Sequence, residues 1–185
     1  MSITHRVSKS VGSALKSLHA GDQKLAAAKM ANGVLPTLLV SSDWFEQGAS
    51  LPVRCTADGE GLAPPLRWSK PSTETKSLVL ICEDPDAPMP EPYVHWLVYA
   101  IPPTLDMLDA TTLSSVRQGE NSKLKTGFTP AAPPPGHGIH HYHFQLFALD
   151  IPINLERGAG RGKLFEAMVG HIIDWGELIG SYQRD

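Results

Sequence analysis

The chain has 185 residues, 42 % of them hydrophobic and 19 % charged, with a formal net charge of −3. That composition excludes intrinsic disorder and a nucleic-acid footprint spread over the whole surface, and the length suits one domain with a short extension. The 16 glycines and 16 prolines, about a sixth of all residues against a usual ~12 %, point to many turns and few long helices.

Residues 6–30 read as a helix. Val7, Val11, Leu15 and Leu18 recur at three-to-four spacing, and a second piece runs from Lys24 to Met30 after a break at Gly21-Asp22. His5, Arg6, Lys9 and Lys16, with no acid before Asp22, would also suit an organellar presequence, but the segment is expected to be a short amphipathic surface helix. There is no secretory h-region, and no apolar run reaches the roughly 18 residues that cross a bilayer, so the chain is expected in the cytoplasm. Cys55 and Cys82 are too far apart for a zinc site or a redox CxxC pair and are expected to be buried free thiols.

From Pro36 the pattern changes to short runs rich in β-branched and aromatic residues, bounded by Gly, Pro, Asp and Ser. The expected strands are Thr37–Ser42, Leu51–Thr56, Leu66–Trp68, Ser77–Glu83, Tyr93–Ile101 and His141–Leu149. Pro102–Gly138 reads as one long loop. Leu164, Phe165, Met168, Val169, Ile172 and Ile173 form an apolar helical face that Asp174–Gly176 should stop, and Leu178–Tyr182 can return as a strand. The expectation is a helical extension over 1–35 followed by a mainly β, antiparallel domain over 36–185, with a further helix near the C-terminus.

Three segments could carry chemistry. Glu83-Asp84-Pro85-Asp86-Ala87-Pro88 follows a strand, and its prolines stiffen the turn, so Asp84 or Asp86 can orient a histidine or accept from a ligand; equally, both can simply make Asx-type turns. His95 lies mid-strand in Tyr93-Val94-His95-Trp96-Leu97-Val98-Tyr99, where strict alternation puts Tyr93, His95, Leu97 and Tyr99 on one face. It is either a satisfied core histidine or part of a pocket wall. Half of the eight histidines fall within His137–His143, which raises a metal site, but alternation sends His140 and Tyr142 to one face and His141 and His143 to the other. No GxSxG elbow, P-loop or GxGxxG fingerprint is present.

In order and spacing, these segments resemble the phosphatidylethanolamine-binding protein family, also called Raf kinase inhibitor-like, in its bacterial branch. The carriers are Pro64-Pro65-Leu66-Arg67-Trp68, Asp84-Pro85-Asp86-Ala87-Pro88, His95-Trp96, Gly119-Glu120-Asn121-Ser122, Pro133-Pro134-Pro135-Gly136-His137-Gly138, and His140-His141-Tyr142-His143-Phe144 running into Leu146–Asp150. The resemblance covers roughly residues 37–183. It implies an antiparallel β-sandwich with a few peripheral helices and a small anion pocket at one end. Asp84, His95, His140 and Tyr142 would line that pocket, with Trp68, Asp86, Pro88, Pro133, Pro134, Gly136 and His137 at or near its rim. In the family such a pocket takes phosphate-like groups, for example the phosphoethanolamine head of a lipid. The family usually has arginine after the second site histidine, where this chain has His141, so a permanent cation is replaced by a titratable one.

The leading expectation is therefore a non-enzymatic binding protein for a small phosphate-type or carboxylate anion, with no cofactor, metal or nucleic acid. A regulatory protein partner such as a kinase or protease, and a homodimer, go with that expectation. The alternatives are a kinase or protease inhibitor acting by surface docking, and a phosphate-ester hydrolase or metal-dependent enzyme built on the histidines. The latter lacks an obvious nucleophile or a complete ligand set.

Overall fold

The protein is described by a computed structural model covering residues 12, 14, 15 and 17–185. The strands are β1 (Val40–Ser41), β2 (Leu66–Trp68), β3 (Ser77–Asp84), β4 (Tyr93–Ile101), β5 (Met107–Leu108), β6 (Arg117–Gln118), β7 (His140–Leu149) and β8 (Ile172–Tyr182); the helices are α1 (Ala26–Met30) and α2 (Arg161–Met168). They form a three-stranded sheet, β1-β2-β5, and a five-stranded sheet, β6-β4-β3-β7-β8. Every pairing between these strands is antiparallel. No helix among the described residues is long and apolar enough to cross a membrane.

The larger sheet is buried on both faces, which is why β3 reads as an unbroken apolar run and has all eight residues buried. One face, with Leu80, Cys82, Trp96, Phe144 and Leu146, packs against Leu66, Trp68 and Leu108 of the smaller sheet. The other, with Val79, Ile81, Leu97, Phe147 and Leu149, lies under Ala26 of α1 and Leu164 and Met168 of α2. At roughly 1.5–3 kcal/mol for each large apolar side chain, these two layers supply the bulk of the driving force.

Several expectations are corrected. Of Thr37–Ser42 only Val40–Ser41 pairs as a strand, and Leu51–Thr56 contains a 3-10 turn at Val53–Cys55 rather than a strand. Thr56 instead bridges Ala131 and Ser50 bridges Ser181, so tertiary contacts replace a regular ladder there. Pro102–Gly138 is not structureless, since it holds β5, β6 and a 3-10 turn at Leu113–Ser115. The C-terminal helix ends at Met168, with Gly170 left-handed at φ 78° two residues on, and β8 already begins at Ile172. Asp174–Gly176 therefore lies inside a strand. In the N-terminal segment Val7 and Val11 fall outside the described residues. The second helical piece is α1, preceded by a 3-10 turn at Asp22–Lys24.

The most consequential correction concerns β4. Cys82 pairs with Trp96 but Glu83 pairs with Val94, so His95 is the extra residue of a β-bulge. Strict alternation fails there. Val94, Leu97 and Tyr99 join the helix-covered core while Trp96 and Val98 join the core between the sheets. His95 sits edge-on to Tyr142 on that inter-sheet side, with ring centroids 5.0 Å apart.

Candidate functional site

At the end of the larger sheet, β3 runs out into the Asp84–Pro88 turn and β7 begins at His140. The Asp84 carboxylate does two things at once. Its Oδ1 accepts from the Asp86 and Ala87 amides at 2.8 and 3.1 Å, an Asx-type turn, while its Oδ2 accepts from His140 Nδ1 at 2.7 Å. Both sequence readings of this aspartate are thus realised in one side chain, with each oxygen serving one of them. Asp84, His95, His140 and Tyr142 are all buried.

His95 is oriented from the loop opposite. Its Nδ1 donates to the Thr129 carbonyl at 2.7 Å, and the Thr129 amide returns a bond to the His95 carbonyl at 2.8 Å. That leaves Nε2 pointing inward, 4.0 Å from Asp84 Oδ2. Burial lowers the proton affinity of His95 below the ordinary histidine value, outweighing the opposing pull of Asp84 and of the Thr129 carbonyl. The loop is fastened to β4 again at Val94, which exchanges bonds with Ser122: its amide donates to Ser122 Oγ at 2.9 Å and its carbonyl accepts the Ser122 amide at 3.0 Å. Asn121 closes the turn by accepting from the amides of Lys123 and Lys125.

Between these walls lies a cavity of about 380 Å³, in the range of small-ligand sites. Asp84, His95 and His140 line it with Tyr93, Lys123, Thr129, Pro88, Pro133 and Pro134, and further apolar side chains complete the wall. Of the residues expected at the site, the cavity brings together Asp84, His95, His140, Pro88, Pro133 and Pro134. Trp68, Asp86, Gly136, His137 and Tyr142 are not in its lining. The Trp68 indole donates to the Leu105 carbonyl at 2.9 Å and packs between the sheets. Tyr142 stands behind His95 with a buried hydroxyl that has no partner among the described residues, and burial, reinforced by Asp84, raises its proton affinity far above the ordinary tyrosine value, so it remains an O–H donor.

Three lining residues with polar side chains were not anticipated. Lys123 follows the Gly119–Ser122 motif directly, so proximity to that motif was an available signal. Tyr93, two residues before His95 and with its ring 4.8 Å from the imidazole, was signalled by strand alternation, whereas Thr129 acts through its carbonyl, which no side-chain pattern reveals. Outside the cavity, His141 replaces the expected arginine and still meets the Asp-Pro-Asp turn, with its amide and its Nδ1 both 2.8 Å from Asp86 Oδ2. His143 points to the opposite face and pairs with Glu177 at 2.8 Å; burial opposes its charge, but that bond and the Glu177 charge raise its proton affinity. Among the described residues no group of three or more His, Cys, Asp or Glu side chains is arranged to hold a metal ion.

A two-sheet antiparallel sandwich with an aspartate–histidine cavity where β3 and β7 meet defines the class, and comparison with known proteins agrees. The model of the phosphatidylethanolamine-binding protein family matches residues 41–183, and the chain belongs to that family. Within it the chain is of the UPF0098 type. The UPF0098 protein PH1269 of Pyrococcus horikoshii is 39 % identical over 150 residues, covering 77 % of this chain and 75 % of that one. The UPF0098 protein of Chlamydia trachomatis is 37 % identical over 150 residues, covering 79 % and 99 %. Among solved structures, the Chlamydia trachomatis homologue CT736, described as a putative phosphatidylethanolamine-binding protein, superposes with a TM-score of 0.75 at 36 % identity over 82 % of this chain and all of that one. YbcL of E. coli, described as a new member of the mammalian family, gives a TM-score of 0.72 at 27 % identity, covering 80 % and 99 %.

Proposed function

We propose that the cavity at Asp84, His95 and His140 binds a small phosphate-type or carboxylate anion, free or as the headgroup of a phospholipid, and that the chain acts by binding rather than by catalysis. The observation that carries this reading is the composition of the cavity wall. Lys123, without an acidic partner among the described residues, lines it together with two buried imidazoles. The only carboxylate in the lining, Asp84, already has both oxygens engaged. A ligand oxygen placed by His95 would meet donors: Nε2 once protonated, and the Lys123 ammonium. Prolines 88, 133 and 134 stiffen the rim, which lowers the ordering cost of binding. The family's own name favours the phosphoethanolamine head as the first ligand to try. Two free, buried cysteines suit the reducing cytoplasm.

Calorimetric titration with inorganic phosphate, phosphoethanolamine and acetate tests this. Lys123→Ala should weaken phosphate binding about tenfold, equivalent to ~1.4 kcal/mol, and His95→Ala more. A bound anion favours the protonated His95 ring, so its pKa rises on binding. The resulting gain in affinity is complete below the free ring's lowered pKa, and is lost as pH rises through the higher value of the bound ring. Affinity should therefore increase from alkaline to acid pH and the heat should report proton uptake. Binding that is equal in Lys123→Ala, His95→Ala and the unmodified chain would remove the cavity from consideration.

A further inference from the structure

Four imidazole nitrogens stand in line behind the cavity. His140 Nδ1 faces Asp84 Oδ2 at 2.7 Å, His140 Nε2 faces His137 Nδ1 at 2.7 Å, and His137 Nε2 faces the Leu15 carbonyl at 2.8 Å. Both ends of the line are acceptors. A carbonyl oxygen only accepts, and so does the Asp84 carboxylate, whose other oxygen already takes two amides. Three hydrogen bonds between two acceptors need three N–H protons, whereas two neutral imidazoles carry two.

We propose that His137 and His140 share one additional proton, which gives the pair a single positive charge at the cavity wall and fastens the N-terminal segment across the rim of the site. Of that segment, the described residues Gly12, Leu15, Ala20 and Gly21 reach both proline turns. Gly12 lies so close to Pro135 that a Cβ there would stand 2.1 Å from the Pro135 carbonyl oxygen. The Leu15 carbonyl accepts from His137 Nε2, and the amides of Ala20 and Gly21 donate to the Pro85 carbonyl at 2.9 and 3.1 Å. The strap therefore ties the Pro133–Gly138 turn to the Asp84–Pro88 turn, with the histidine pair as its clasp.

The consequence for the site is one of charge. With both rings neutral, the wall would hold the Asp84 carboxylate against the Lys123 ammonium, with nothing left for an anion. The shared proton balances Asp84, and because the His140 ring lines the cavity, Lys123 is left in excess. His137, which does not touch the cavity, thereby becomes a positioning residue for the anion. The other titratable groups facing the pair among the described residues are Asp86 with His141, His95, Tyr93, Tyr142, and Arg184, whose carbonyl takes the Gly136 amide while its guanidinium is held by Asp58. This inference deepens the anion reading and rests on that reading only for its ligand.

The test counts protons directly, by histidine side-chain nitrogen NMR on the ligand-free chain. Three of the four nitrogens of His137 and His140 should be protonated in the folded chain, with the Ala20 and Gly21 amides protected from exchange. Asp84→Asn is the decisive variant. Its amide can keep Oδ1 for the Asp86 and Ala87 amides and donate Nδ2–H to His140 Nδ1, so all three bonds form with two neutral rings. It should show two protonated nitrogens with the strap still protected. Two neutral rings in the unmodified chain with the strap still protected would overturn the proposal, as would three protonated nitrogens in Asp84→Asn. His137→Phe, which removes the clasp and is not in the cavity lining, should lower strap protection on the order of tenfold, and full protection in it would also count against the clasp. Phosphate titration separates the two readings: no phosphate binding with three protons present sinks the anion reading alone.

Discussion

Glu83→Ala should destabilise the fold by about 3–5 kcal/mol, lowering the melting temperature by roughly 6–20 °C. Glu83 is the residue before Asp84 and points to the opposite face of the sheet, where it is fully buried. Its Oε1 accepts from Arg161 Nε at 2.6 Å, and its Oε2 accepts from the Ala26 amide at 2.8 Å and from Gln145 Nε2 at 3.0 Å. Gln145 Oε1 in turn accepts from the Ala27 amide at 2.8 Å, and Arg161 also donates to the Lys24 carbonyl at 2.8 Å. One carboxylate thus ties β3, β7, α1 and α2 together. Truncating it leaves a largely buried guanidinium with only the exposed Glu91 at 3.6 Å as ionic partner and orphans the first amide of α1, which is why the cost exceeds that of a single lost bond. Chemical denaturation checks this, with Glu83→Gln expected to lie in between because it keeps an acceptor for Ala26. A loss below about 1 kcal/mol for the alanine variant would mean that the network contributes little.

Gly176→Ala is the second large effect, at about 1–3 kcal/mol or more. Gly176 lies within β8 opposite Leu146, and a Cβ built there would stand 1.9 Å from the Leu38 carbonyl oxygen and 2.8 Å from its carbon. Both are backbone atoms, and the Leu38 amide is itself bonded to the Trp175 carbonyl at 3.1 Å, so the 36–39 segment must move off the sheet to make room. Trp175, whose indole donates to the Val34 carbonyl at 2.9 Å, supplies a local fluorescence reporter of that displacement. Gly162→Ala, inside α2 where nothing lies within 4 Å of the added carbon, is the control and should be neutral or mildly stabilising. Equal stability of the two variants would show that the 36–39 segment yields without cost.

The same two positions mark where sequence reasoning reached and where it stopped. Tyr93–Ile101 and Leu66–Trp68 were legible to the residue, and Ser77–Glu83 and His141–Leu149 to within one, because long apolar or β-branched runs bounded by turn residues leave few alternatives. Asp174–Gly176 looked like a stop since Asp and Gly are depleted in strands, which outweighed the aromatic between them. The glycine is there because another backbone crosses that point, and such an approach leaves no trace in local pattern. The helix α1 has Leu25 before it and no capping side chain of its own; Glu83 and Gln145 from the sheet receive its first amides instead.

The site divides in the same way. Asp84, His95 and His140 could be picked out from motif order, since a stiffened acidic turn and histidines at strand positions are local features. Strict alternation would have turned His95 toward the helix-covered face with Leu97. A bulge, set by how β3 and β4 pair over their whole length, brings it to the inter-sheet side by Asp84. What the amino-acid order determined by itself was the β-rich class, the strands with strong periodicity, and the presence of an acidic turn and histidines at strand positions. Tertiary structure alone decided which way His95 points, that Lys123 joins it, and that His137 bonds to His140 and to Leu15, 122 positions earlier in the chain. Those outcomes depend on backbone carbonyls, bulges and charges from distant segments meeting in a dry interior, and each requires the assembled chain before its energy exists.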